Sequence, residues 1–168
     1  IALRLLTRDQ TPITPDFFAQ RTRAAIDYRE RVVDGYEAFR VVHSESDGIP
    51  GLTVDKYGDY LVLQQHSAGL EPFMPAILEV LQQHYRPKGI LARNDGSVRE
   101  LEGLPKEVKV LSGKVPEEIP FFESDVTLFA APYTGQKTGA FLDQRENHVH
   151  AGSIAFGRCL DVFSYHGG

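Results

Sequence analysis

The stretch LTVDKYGDYLVLQQH, residues 52–66, permits few folds. Two runs rich in Val, Leu and Tyr are separated only by Gly58-Asp59, which is turn chemistry. They are expected to be consecutive strands, LTVDKY over 52–57 and YLVLQQH over 60–66. A third run, EAFRVVHSE (37–45), precedes them across SDGIPG, where Asp47 favours turn initiation and two glycines with a proline stiffen the bend. A sheet therefore organises the middle of the chain.

Helical periodicity brackets that sheet. TPITPDFFAQRTRAAIDYRERVVDG reads as a helix capped by Thr14, with Pro15 in the first turn and Asp16 complementing the dipole. Phe18, Ala25 and Val32 recur on one face, and Gly35 ends the element. Phe73, Ile77, Leu81 and His84 mark a second helix over 73–85, stopped by Pro87. GILARND (89–95), VKVLSG (108–113), PFFES (120–124) and VTLFAA (126–131) are further strands, the last two paired through Ser124-Asp125, and a short helical piece begins near Ser97. This order predicts an α+β fold: a central mixed sheet with helices on one face.

Both ends suggest neighbouring units. IALRLLTRD (1–9) alternates like a strand and is expected to close something that precedes it. LDQRENHVHAG (142–152) reads as a helix, with Asp143 and Glu146 as an acidic analogue of a capping box and Gly152 as C-cap. Cys159 to Phe163 then reads as a buried strand emptying into a glycine loop. Helix, buried strand and glycine loop together open a doubly wound α/β domain, expected to continue past residue 168.

Composition narrows function. No apolar run approaches the ~20 residues that cross a bilayer, so no membrane role is expected. A single cysteine excludes an internal disulfide framework and fits a reducing cytoplasm. The net charge of −5 argues against a nucleic-acid binder that uses its whole surface, leaving a local basic patch. Candidates for that patch are Arg21, Arg23, Arg29 and Arg31 on the first helix, with Lys56, Arg93, Arg99 and Lys137. The six histidines are scattered, His148 and His150 point to different helix faces, and zinc spacing is missing, so no metal is expected. Gly135 and Gly139 bracket Lys137 and Thr138, but Gln136 stands where a phosphate loop has glycine. Cys159, inside an apolar run, reads as an inert small hydrophobe.

Three blocks in order, ESDGIPGLTVDKYGDYLVLQ, GQKTGAFLDQREN and LDVFSYHGG, follow a helix beginning FFAQR. Together they resemble the bacterial large-subunit (23S) ribosomal RNA cytosine-5 methyltransferases, which use S-adenosylmethionine. The resemblance runs over essentially the whole chain. It implies a PUA-type RNA-binding barrel ending in residues 1–10, a linking helix over 11–36, a central α+β domain over 37–133 and the truncated start of a Rossmann-like methyltransferase domain over 134–168. On this likeness Asp161, Phe163, Ser164, Tyr165, Gly167 and Gly168 match the first cofactor motif, with His166 where relatives usually carry Thr. Lys137, Thr138, Gly139, Phe141, Asp143, Gln144 and Arg145 match the segment preceding that motif, and Gln144 and Arg145 are implied cofactor contacts.

Cytosine-5 chemistry needs a thiolate that adds to carbon-6, and Cys159 sits upstream of the glycine loop. The nucleophile and the carboxylate for the ribose hydroxyls are accordingly expected beyond residue 168, with no catalytic residue in this chain. Two other readings remain: an RNA-binding or scaffolding module built on the arginines, and a methyltransferase acting on another RNA base.

Overall fold

The computed structural model describes residues 3–162. Helix α1 spans Pro15–Val32, and its start follows from its residues: the Thr14 hydroxyl accepts the Phe17 N–H at 3.3 Å, and Pro15 opens the first turn. Its buried positions, Phe18, Thr22, Ala25, Ile26 and Arg29, recur every three to four residues and so form one stripe. Val33 closes the helix through its N–H to the Arg29 carbonyl, and Gly35 takes the left-handed turn beyond it.

Five strands form the main sheet in the order β1 (Ala38–His43), β2 (Leu52–Tyr57), β3 (Tyr60–Gln65), β4 (Gly89–Asn94) and β5 (Glu107–Gly113). All neighbours are antiparallel except β3 and β4, which run parallel because helix α2 (Met74–Tyr85) carries the chain back between them. The sheet is therefore mixed. Short helix α3 (Val98–Leu101) links β4 to β5, and β6 (Ile119–Glu123) pairs with β7 (Val126–Ala130) as a separate hairpin whose turn places Ser124 at φ 52°. Helix α4 (Arg145–Ile154) follows a short 3-10 turn at Leu142–Gln144.

Period-two alternation sends the strand side chains to two different cores. On one face Leu52, Val54, Leu61, Leu63 and Ile90 pack with Phe18 and Ile26 of α1 and with Ile77 and Leu81 of α2. On the other, Tyr57, Val62 and Leu91 pack with Ile119, Phe121, Ala130 and Ala140. Helices α1 and α2 thus share one face, as expected, and the hairpin with the loop after it covers the second.

The ends depart from expectation. Residues 3–9 form no strand; Arg4 instead donates to Ser67 Oγ at 3.3 Å and to Glu102 Oε1 at 3.2 Å, so this segment is held by side-chain bonds without a ladder. Gly152 is not a C-cap but lies inside α4, which Ala155 closes. Asp143 and Glu146 form no capping box, because each carboxylate is taken by a cation, Lys137 at 2.6 Å and Arg145 at 2.6 Å. Residues 159–162 are exposed and outside any strand, Cys159 included, and they belong to neither sheet. Their reading as a buried strand is corrected accordingly; Phe163, its last residue, lies outside the described residues.

Candidate functional site

Buried polar side chains gather on the second face of the sheet, beneath the segment joining β7 to α4. Asp55 of β2 is fully buried and takes a bidentate pair from Arg40 of β1, Nε at 2.8 Å and Nη2 at 3.0 Å. The register explains the pairing, since Arg40 lies directly opposite Asp55. The Thr138 hydroxyl donates to Asp55 Oδ2 at 2.5 Å. Its only proton being committed there, it must accept from the Tyr57 hydroxyl at 2.9 Å, and Tyr57 in turn accepts the Ala140 N–H at 3.2 Å. One relay with every direction fixed by the carboxylate therefore runs Ala140, Tyr57, Thr138, Asp55.

Electrostatics agree with that assignment. Burial pushes the Tyr57 hydroxyl far above its ordinary value, with the Asp55 charge adding to it, so the phenol stays a donor. For Arg40, burial alone lowers basicity, but the hydrogen bond and charge of Asp55 outweigh it and the net shift is upward.

Arg93 of β4 makes a second anchor. Its buried guanidinium donates to the Pro132 carbonyl at 2.7 Å and the Gly135 carbonyl at 3.2 Å, and pairs with Asp95 at 3.1 Å. The two glycines that bracket Lys137 now have a structural reason. A Cβ on Gly135 would meet the carbonyls of Ala131 and Gly139, each at 2.8 Å, and Gly139 has φ 136°. The loop closes on itself, backbone against backbone.

The residues implied as cofactor contacts sit just beyond. The Gln144 amide oxygen accepts from Asn147 at 2.9 Å. The Arg145 guanidinium lies 3.6 Å over the Tyr36 ring and donates to Glu146 at 2.6 Å. Asp161 lies exposed in the segment after α4. Phe163, Ser164, Tyr165, Gly167 and Gly168 lie outside the described residues.

The basic candidates do not come together. Arg29 is buried in a two-bond pair with Asp47 at 2.6 and 2.7 Å. Arg21 donates to the carbonyls of Gly48 and Leu6, and Arg99 is sealed against the backbone of Gln65 and Pro105. Arg23 is exposed on α1. Lys137 lies on the opposite side of the sheet from α1, bound to Asp143 at 2.6 Å and 4.3 Å over the Phe141 ring. Its hydrogen bond holds the Asp143 carboxyl below the usual carboxylate range.

Sequence reasoning missed Arg40, Asp55 and Tyr57. The available signal was the acid of LTVDKY, a charged residue at an inward strand position. A cavity of about 560 Å³ beside the loop is lined by Val115, Glu117, Glu118, Ala131, Tyr133 and Thr134, none of them singled out from the sequence. Among the described residues there is no group of three or more His, Cys, Asp or Glu able to hold a metal, and no helix long and apolar enough to cross a membrane.

No protein-family model matches the chain. It is 40% identical over 157 residues to a ribosomal RNA large subunit methyltransferase I of Erwinia tasmaniensis, covering 91% of this chain and 40% of that protein. A protein of the same name from Yersinia pseudotuberculosis is 39% identical over 155 residues, covering 90% of the chain and 39% of the relative. A solved structure from Streptococcus mutans, described as a SAM-dependent methyltransferase, superposes with TM-score 0.72 at 22% identity, over 90% of this chain and 39% of that one. A further structure with the same scores is described as a methyltransferase complexed with SAH. The chain spans about 40% of the length of the curated relatives it matches, and it shares its fold with part of these methyltransferase structures.

Proposed function

We propose that the chain is the central part, and the approach to the cofactor site, of a longer S-adenosylmethionine-dependent methyltransferase that modifies carbon-5 of a cytosine in 23S ribosomal RNA. The observation that carries this reading is the 40% identity over 91% of the chain to a ribosomal RNA large subunit methyltransferase I. The SAH-bound structural neighbour supports the cofactor class. Bound, the cofactor supplies an electrophilic methyl group on sulfur.

This chain's own residues bind and orient. Gln144 and Arg145 offer an amide and a guanidinium at the start of α4, next to a loop anchored from beneath by Asp55 and Arg93. The described residues alone do not enclose a cofactor; they fit one wall of a pocket whose glycine motif is the SYHGG that follows. In this proposal the nucleophile, the ribose carboxylate and the base pocket belong to the remainder of the longer protein. The exposed Cys159 is not assigned the nucleophile's role. Ribosomal RNA contact on this chain falls first to Arg23 and Arg31, both exposed on α1, because Arg21 and Arg29 are spent internally.

Isothermal titration with S-adenosylhomocysteine tests the reading. The native-length protein is expected to bind it, whereas residues 1–168 alone are expected to bind at least about a hundredfold more weakly, lacking the helix N-terminus after the glycine loop. Micromolar binding by the short chain, or none by the long one, would overturn the assignment.

A further inference from the structure

By sequence order residues 134–145 belong with the helix that follows them. Their packing says otherwise. Thr138 and Ala140 are buried against the second face of the sheet, and the segment is tied down at three separated points. Asp55 and Tyr57 of β2 hold Thr138 and Ala140. Arg93 of β4 holds Pro132 and Gly135. Tyr36, just ahead of β1, stacks under Arg145 at 3.6 Å. The Lys137–Asp143 pair at 2.6 Å closes the span between the second and third of these points.

We propose that the Asp55–Thr138–Tyr57 relay is a positioning device that makes the 131–145 segment part of the central body, so that Gln144 and Arg145 meet the cofactor from the sheet side. This rests on the cofactor reading above. The physical argument is one of direction. Apolar residues of equal volume would hold the loop down about as firmly as a buried ion pair does. They would not fix its register, because dispersion contacts tolerate sliding. Hydrogen bonds ending on one carboxylate, with the donor order set by proton count, admit a single placement of Thr138 and hence of the five residues that lead from Ala140 to Arg145.

The test compares Thr138→Val, Thr138→Ser and Tyr36→Leu in the native-length protein. Hydrogen exchange over residues 131–145 and S-adenosylhomocysteine affinity are read together. Thr138→Val is expected to speed exchange at the Ala140 amide about tenfold or more and to weaken affinity about tenfold, while Thr138→Ser restores both. Tyr36→Leu, near the surface and outside the relay, keeps the fold readable should Thr138→Val unfold, and is expected to weaken affinity severalfold without changing exchange at Ala140. Unchanged exchange in Thr138→Val overturns the relay. Faster exchange in Thr138→Val with unchanged affinity, or unchanged affinity in Tyr36→Leu, overturns the positioning role. Wild-type protein that binds no S-adenosylhomocysteine overturns the functional reading instead, and leaves the exchange result to stand on its own.

Discussion

Asp55→Ala is expected to be among the costliest substitutions in the chain. Asp55 is fully buried and receives two Arg40 bonds, at 2.8 and 3.0 Å, and one from Thr138 at 2.5 Å. Removing one partner of a buried pair costs roughly 3–5 kcal/mol, because the survivor is left charged without compensation. Arg40 keeps 31% of its side chain exposed and can turn to water, which argues for the low end. Thr138 cannot turn, being fully buried, so its hydroxyl and that of Tyr57 lose their direction. The expected loss is about 3 kcal/mol, and with a urea m-value of about 2 kcal/mol/M the midpoint falls by about 1.5 M. The double variant Arg40→Met/Asp55→Leu removes both charges together and is expected to recover most of that loss, giving a coupling of about 2 kcal/mol or more. A midpoint shift below about 0.3 M for Asp55→Ala, or a double variant as unstable as the sum of its singles, refutes the reasoning.

Two further outcomes follow from backbone and burial. Gly113 has φ 65°, and a Cβ there would land on the Lys88 carbonyl, whereas Gly58, at φ 52°, has open space around it. Gly113→Ala is therefore expected to cost at least about 2 kcal/mol, and Gly58→Ala only about 1 kcal/mol, both read from urea midpoints. Burial, with the nearby Arg99 charge second, holds the His66 imidazole below its ordinary value of 6.5. The unfolded chain therefore takes up the proton first, so stability is complete above 6.5 and declines as pH falls from there through the native value. Between about pH 8 and about pH 5.5 the wild-type midpoint should fall further than that of His66→Gln; equal falls count against this account.

Local rules were enough for the elements whose signals are local. Thr14, Pro15 and Asp16 announce α1, and Gly58-Asp59 sets β2 and β3, whose observed bounds are Leu52–Tyr57 and Tyr60–Gln65. The same rules misread residues 3–9 and 159–162, because alternation makes a strand only where a neighbour completes the ladder. For the described residues of both stretches no such neighbour exists. The partners of the arginines were hidden for a related reason. Arg29 finds Asp47 18 positions away, and Arg93 finds Gly135 42 positions away, so a charge run read along the chain says nothing about what each charge touches. Asp55 stayed hidden because its partner Thr138 is 83 residues downstream, and Thr138 had been grouped with the glycines beside it.

The two covers of the sheet emerge at different times. Both helices of the first face precede the end of β4 at Asn94, but the second face waits for the hairpin and for Ala140. A ribosome adding roughly 5–20 residues per second needs several seconds for that interval. Meanwhile Val62 and Leu91 stand wet and Asp55 keeps its hydration shell. Asp55, fully buried in the finished fold, is thus dried only after Thr138 and Ala140 emerge, and pausing within this interval during translation lengthens the period in which the half-covered sheet can pair wrongly.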